Sequence, residues 1–176
     1  MFVAQQKRKE NIAEYLLYMW QLEDILRAYN LDIEKVEQVL IDPTNNSEEK
    51  KEEARKWYAH LIQMMKLEGI EQEGHLGINN SLLFELNDLH LQLIKDETEK
   101  EYIENYYKTL PFIVELRGKS KVKETTEMEI CFTALYGFLL LKLQKKEISK
   151  DTVSAVSQIS TLLRLLSEKY KSLQEK

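Results

Sequence analysis

Apolar residues recur along almost the whole chain at spacings of three and four positions, and no segment sustains an alternation of period two. Spacings of three and four place apolar side chains on one face of an α-helix, whereas alternation would indicate a strand. The pattern therefore predicts an all-α fold. The first helix is predicted from about Gln5 to Tyr29, with one apolar stripe made of Ile12, Leu16, Met19, Leu22 and Leu26.

Capping and turn residues divide the next part of the chain into two further helices. Asp32 is a typical N-cap for a short helix over Ile33–Ile41, which ends before Pro43. Ser47 is a suitable cap for a third helix, which continues to Glu68.

Glycines are concentrated between residues 69 and 80, so this segment is the longest predicted loop. A fourth helix follows, from about Ser81 to Lys95. Thr98 and Glu101 have the spacing of a capping box, which predicts the start or a change of register of a fifth helix.

Proline, glycine and a second capping box define the elements that follow. Pro111 predicts the end of the fifth helix or a kink in it, and Gly118 predicts a C-cap one or two turns later. Thr126 and Glu129 predict the start of another helix, over about 128–146.

The segment from Ile130 to Leu141 is apolar on every side of its helix. Such a helix is normally surrounded by others, so it predicts the centre of a bundle of about seven or eight helices. Gly137 would let one neighbour approach closely, and the final helix is predicted over about Asp151–Leu173. With 176 residues, the chain has the size of one domain, so 1–176 is predicted to form a single helical domain.

Composition favours a cytoplasmic protein without a membrane span. The longest apolar run is shorter than the roughly 20 residues that cross a bilayer. The basic cluster Lys7–Lys9 is followed by acidic, amphipathic sequence, unlike a signal peptide. The only cysteine, Cys131, excludes a disulfide framework or a cysteine metal cluster, and its apolar surroundings predict a packing role.

Charge is unevenly distributed along the chain. The net charge is −5, but residues 118–176 carry a net charge of +4. Lys119, Lys121 and Lys123 would be the centre of a weak nucleic-acid site in this basic C-terminal third. Because phosphate neutralisation needs a denser basic stripe, nucleic-acid binding is an alternative rather than the leading prediction.

Two polar residues, Glu23 and His90, interrupt apolar stripes and are candidate site residues. A buried carboxylate or imidazole needs a partner. Glu23 would bridge to Arg27 one turn later, and His90 would bond to a backbone carbonyl or a tyrosine. In the alternative, Glu23 and His90 meet in a polar pocket, with Arg27 close by, that binds a small molecule or forms an active site.

Other motifs for catalysis or metal binding are missing from the sequence. It contains no HExxH zinc motif and no GxSxG nucleophile motif. His75 lies in the glycine loop near Glu68, Glu71 and Glu73, and we interpret that segment as a solvated acidic loop rather than a metal site. No cofactor and no metal are expected.

Three parts of the sequence, the N-terminal MFVAQQKRKENIAEYLLYMWQLED, the later EICFTALYGFLLLKL and the closing helix, resemble a family of small helical Bacteroidetes proteins. That family is classed as a domain of unknown function, and the resemblance covers the whole chain. It implies an all-helical bacterial cytoplasmic protein, without any activity, cofactor or site residue.

The leading functional prediction is a non-enzymatic helical bundle that acts through protein–protein contacts. A regulatory or scaffolding role fits this prediction, with a homodimer as one form of it. The small-molecule site and the nucleic-acid site described above are the two alternatives.

Overall fold

A computed structural model of the protein describes residues 1–119 and 125–175. Within these ranges the chain forms eight α-helices and one π-helical turn, without any strand. The all-α prediction is therefore confirmed. The helices are α1 (Phe2–Glu10), α2 (Ile12–Ala28), α3 (Ile33–Val36), α4 (Glu48–Leu67), α5 (Gly77–Leu93), α6 (Lys100–Lys119), α7 (Glu127–Leu143) and α8 (Lys150–Gln174), and the π-turn spans Glu37–Ile41.

The chain divides into two compact units. Unit 1 comprises Met1–Lys9 and Glu14–Ser81, and unit 2 comprises Glu10–Ala13 and Leu82–Lys176. In unit 1, α3 and the π-turn pack against α4. In unit 2, α6, α7 and α8 pack against one another. The largest fully buried side chains of unit 1 are Leu16, Leu26, Ile41, Met65 and Leu76, and those of unit 2 are Leu86, Tyr102, Ile113, Met128, Phe132, Ile159 and Leu162.

The first predicted helix is two helices, because the chain breaks at Asn11 between α1 and α2. The Asn11 side-chain oxygen accepts a hydrogen bond from the Ala13 N–H at 3.0 Å. This is the bond by which an N-cap residue satisfies a free donor in the first turn of a helix. The prediction of one helix over Gln5–Tyr29 was wrong because the apolar stripe continues across the cap.

The short helix after Asp32 begins as predicted. The Asp32 carboxylate accepts from the Glu34 N–H at 3.0 Å, and the helical path continues from α3 through the π-turn to Ile41. Helix α4 also starts directly after Ser47, although no side-chain bond from Ser47 caps it. The path from Ile33 to Ile41 and the start of α4 could therefore be predicted from the sequence. The π geometry and the lack of a capping bond from Ser47 could not.

The glycine-rich loop is shorter than predicted, because α5 begins at Gly77 rather than at about Ser81. Gly69 and Gly74 have φ angles of 68° and 93°, which are values that glycine adopts at little cost. Gly77, in contrast, opens the helix, and its N–H donates to the Glu68 carboxylate at 2.7 Å. The Glu68 carboxylate, which lies outside α5, thus satisfies a free N–H at the start of this helix, as an N-cap side chain would. Local sequence spacing does not predict this contact.

Helix α6 departs from prediction at both ends and at its proline. The Thr98 N–H and hydroxyl both bond to Asp96, so the predicted capping box with Glu101 does not form in these contacts. Pro111 lies inside a helix that continues past Gly118 to Lys119. Because Pro111 is exposed, solvent can hydrate the carbonyl that the missing proline N–H leaves free.

Helix α7 is buried over only part of its length. Thr126 caps it through a bond from the Glu129 N–H at 3.2 Å, as predicted. Four residues of its first half, Met128, Ile130, Cys131 and Phe132, are buried, but in the stretch 134–141 every residue except Tyr136 is only half-buried. The Cβ direction of Gly137 faces open space, since within the described residues no atom beyond its own stretch of helix would lie within 4 Å of an added methyl group. The predicted close approach at Gly137 was wrong, and the apolar helix is surrounded only at its N-terminal end.

No helix in the described part of the chain is both long enough and apolar enough to cross a bilayer.

Cys131 lies in the buried half of α7, in agreement with the packing role predicted for it. Burial, followed by the charge of Glu127, raises the pKa of its thiol to about 12. The reactive thiolate is therefore scarce at neutral pH in the folded protein.

We predict that Cys131 does not react with a disulfide reagent such as DTNB at pH 8 in the native protein. In denaturant the same thiol is exposed, and one equivalent should react within the mixing time. The absorbance of the released thiolate measures both rates. Rapid reaction without denaturant would contradict the buried position of this side chain.

Candidate functional site

The buried carboxylate of Glu23 is the centre of a polar cluster in unit 1. The Glu23 side chain is 1% exposed. One carboxylate oxygen accepts from the Leu76 N–H at 3.0 Å and from the Asn79 side-chain amide at 2.7 Å. The other oxygen lies 2.6 Å from Nδ1 of His75. Three donors thus replace the water that this carboxylate loses on burial.

The imidazole of His75 is held on two sides. Its ring stacks on the indole of Trp20, with ring centroids 4.0 Å apart and an interplanar angle of 9°. Its Nδ1 faces Glu23, while 28% of the side chain remains exposed. The interpretation of this segment as a solvated acidic loop is therefore wrong for His75, although Glu71 and Glu73 are exposed.

Arg27, one turn after Glu23 on α2, also bonds to the loop between α4 and α5. It pairs with Asp24 at 2.8 Å and donates to the carbonyls of Ile70, at 3.2 Å, and Gly74. The predicted bridge between Glu23 and Arg27 was wrong, because each side chain serves different groups of the loop. Backbone carbonyls in a loop need donors, and the guanidinium supplies several at once.

Together, Glu23 and Arg27 hold the segment between α4 and α5. No group of three or more histidine, cysteine or acidic side chains within the described ranges is arranged to hold a metal ion. Both oxygens of Glu23 are already occupied by protein donors. The cluster therefore clamps the loop to α2, and one buried acceptor in it, the Asn79 side-chain oxygen, has no hydrogen-bond partner among the described residues.

We predict that Glu23→Gln lowers the free energy of unfolding by about 1–3 kcal/mol, because one amide oxygen cannot accept all three bonds. Urea denaturation followed by circular dichroism measures the change. Glu14→Gln is the matched control on the same helix. Its ion pair with Lys7 is exposed, so this substitution should cost less than about 1 kcal/mol. Equal effects of the two substitutions would argue against the clamp.

His90 is the centre of the polar cluster in unit 2, and it is fully buried. Its Nδ1 lies 2.8 Å from the Tyr102 hydroxyl, and its Nε2 lies 3.2 Å from the Glu127 carboxylate. A tautomer with hydrogen on Nε2 satisfies both contacts, donating to Glu127 and accepting from Tyr102. The prediction that His90 bonds to a tyrosine is confirmed.

Glu127 connects the buried histidine to the surface. Its second oxygen lies 3.5 Å from the Tyr106 hydroxyl and 3.8 Å from the Arg117 guanidinium. The hydrogen bond from His90 is the main reason why the pKa of Glu127 is lowered. Burial, followed by the charge of Glu127, raises the pKa of Tyr106 to about 12, and burial also raises the pKa of Tyr102.

We predict that the stabilisation supplied by Glu127 is lost in acid. The folded pKa of Glu127 lies below the ordinary pKa of a glutamate, so its contribution is complete above that ordinary pKa and disappears as pH falls through the folded pKa. Thermal unfolding of the wild type and Glu127→Gln should therefore differ most near neutral pH and converge in acid. Glu168→Gln, at an exposed site on α8, is the control and should give a small difference that does not depend on pH in this way.

The candidate residues from the sequence lie in separate networks. Glu23 and Arg27 belong to unit 1 and His90 to unit 2, and each is bonded to partners within its own unit. Of the nucleic-acid candidates, Lys119 pairs with Glu115 at 2.6 Å. Lys121 and Lys123 lie outside the described residues.

A groove in unit 2, here called the apolar groove, is the feature that sequence reasoning missed. It encloses about 520 Å³ between the ends of three helices. Its apolar lining comes from Phe112 and Leu116 of α6, from Ala134, Gly137, Phe138 and Leu141 of α7, and from Ala155, Val156 and Ile159 of α8.

Polar and charged side chains border the apolar groove. Glu115, Lys119 and Asp151 lie among its lining residues. A second recess of about 340 Å³ shares Leu116, Lys119, Thr133 and Ala134 with the groove and extends it toward Glu129 and Ile130. Residues of α7 between Ile130 and Leu141 thus line two recesses that share part of their lining. No sequence signal marks them, because an apolar face looks the same whether it is covered or open.

Comparisons with known proteins agree with the resemblance described above but add no activity. Neither a curated protein nor a solved structure matches the chain. One family model matches residues 1–176, and its description is Domain of unknown function (DUF4924). Since that match spans the whole chain, the protein belongs to the DUF4924 family.

Proposed function

We propose that this protein acts by binding another protein through the apolar groove, as a non-enzymatic interaction module. The observation that carries the proposal is the incomplete cover of α7. Its segment from Ile130 to Leu141 is apolar on every side, yet most of that segment is only half-buried from residue 134 onward, and Leu143 at the end of the helix is 59% exposed. Exposed apolar patches with polar borders are typical of interaction surfaces in soluble proteins.

The shape of the groove suits an α-helix of the partner. Its lining comes from the sides of three helices, and open space lies above Gly137. Helices commonly bind such grooves with one apolar face, while charged residues at the border fix their position. Glu115, Lys119 and Asp151 would take that second role here.

The hydrogen bonds within the Glu23 and His90 clusters favour a protein-binding function over the binding or conversion of a small molecule. Glu23 and His90 are both saturated by groups of the protein itself. A ligand site normally directs a few polar groups into a cavity. Arg27 lines a polar recess of about 260 Å³, but all three of its guanidinium nitrogens are bonded to Asp24 or to the carbonyls of Ile70 and Gly74. The apolar groove is therefore the better candidate for recognition.

The test places a photo-crosslinking amino acid at Thr133, an exposed position that lines the groove, and expresses the variant in the native cell. We expect one predominant crosslinked species on irradiation. The same amino acid at Ser154, exposed on α8 and outside the groove lining, should give none.

A second substitution that fills the groove, Gly137→Leu, should abolish the Thr133 crosslink while the protein remains folded by circular dichroism. Crosslinks of equal yield from both positions, or a Thr133 crosslink that survives Gly137→Leu, would contradict the proposal.

A further inference from the structure

We propose that His75 is a phosphoryl-acceptor site, at which Nε2 of the imidazole is the nucleophile and Glu23 is the positioning residue behind the ring. The site lies in unit 1, and it does not depend on the apolar groove of unit 2. Glu23 and His75 keep their part in holding the loop before α5. The proposal adds a role for the edge of the imidazole that faces away from Glu23.

The contact between Glu23 and His75 fixes the tautomer of the imidazole. Nδ1 of His75 lies 2.6 Å from one oxygen of Glu23. The other oxygen accepts from the Leu76 N–H and the Asn79 amide. Because an ionised carboxylate only accepts hydrogen bonds, the hydrogen of the neutral ring is on Nδ1. The lone pair that can attack an electrophile is then on Nε2.

Nε2 of His75 is accessible to solvent. The side chain is 28% exposed. The described residues offer Nε2 no hydrogen-bond partner, and it is not among the buried side-chain atoms that lack one. The ring also stacks on Trp20, with centroids 4.0 Å apart, which holds its plane. The nucleophilic nitrogen is therefore fixed in position and in contact with water.

The other two histidines differ from His75 in these respects. His90 is fully buried, and both of its ring nitrogens are bonded. His60 is exposed on α4, and no carboxylate within the described part of the chain is bonded to its ring. An open Nε2 and a buried carboxylate at Nδ1 thus coincide at His75 alone among the histidines that the structure describes.

This arrangement suits attack on phosphorus. The lone pair of Nε2 forms an N–P bond, while the bond between phosphorus and the leaving group of the donor breaks and the leaving group takes its electron pair. The donor is an acyl phosphate or a phosphoramidate, because the N–P bond formed is itself labile. The imidazole becomes positive as the bond forms, and the Glu23 carboxylate at Nδ1 stabilises that charge, as the aspartate of a serine-protease triad does for its histidine.

Charges of both signs surround His75. Glu71 and Glu73 are exposed on the same loop and repel a phosphoryl group. The Arg27 guanidinium bonds to the carbonyl directly before His75, and Arg27 and Lys66 line one recess together with Glu71. These two cations offset the repulsion by the two carboxylates.

Potassium phosphoramidate, a small phosphoryl donor, tests the site in the full chain. We expect one phosphoryl group on Nε2 of His75, formed at least about tenfold faster than on His60, and none on His90. Phosphorus NMR distinguishes the Nε2 product from the Nδ1 product. Mass spectrometry of peptides kept at alkaline pH identifies the modified residue. The comparison of His75 with His60 needs no substitution, so it does not depend on how well a variant folds.

Glu23→Gln separates activation of the ring from its structural role. The amide keeps an acceptor near Nδ1 but lacks the negative charge, so the rate at His75 should fall about tenfold, toward that of His60. Circular dichroism establishes that the helices are retained. Glu14→Gln, on the same helix, is the matched control and should leave the rate unchanged.

Equal rates at His75 and His60, a phosphoryl group on Nδ1 of His75, or an unchanged rate in folded Glu23→Gln would overturn the inference. None of these outcomes bears on the apolar groove, whose test is the Thr133 crosslink. The two proposals can therefore fail separately.

Discussion

The carboxylate of Glu23 is removed from water, and much of unit 1 is arranged to compensate for that loss. Three donors reach it from a short stretch after α4, one from the backbone of Leu76 and two from the side chains of His75 and Asn79. Because an unpaired buried charge is so costly, these contacts must form together. They fix the path of the loop into α5, and Arg27 donates hydrogen bonds to the loop carbonyls of Ile70 and Gly74.

In unit 2, the buried polar group that needs partners is the His90 imidazole, and its network extends to the partly exposed side chain of Glu127. The imidazole is bonded to Tyr102 and Glu127, and Glu127 also faces Tyr106 and Arg117. This network occupies the first turn of α7, so it anchors the end of the helix that is buried. The other end has an apolar face that remains only half-buried among the residues that the structure describes.

This asymmetry of α7 connects folding with the proposed function. The anchored end supplies a rigid base, since Cys131 and Phe132 are fully buried there. The open end supplies apolar area whose removal from water would drive association, at roughly 25 cal/mol for each Å² buried. In the proposed function, the residues that hold the fold and the residues that would bind a partner lie on one helix, less than about three turns apart.

Local sequence determined the elements, because helical periodicity and several caps depend only on near neighbours. It predicted the all-α fold and the caps at Asp32 and Thr126, and it gave a backbone carbonyl or a tyrosine as the partner of His90, of which the structure has the tyrosine. It also marked Glu23 and His90 as buried polar groups that need partners. The tertiary structure alone decided which partners they have, because His75 and Glu127 are 52 and 37 residues away along the chain. It also decided that half of α7 is open, since periodicity shows where apolar faces lie but not what packs against them.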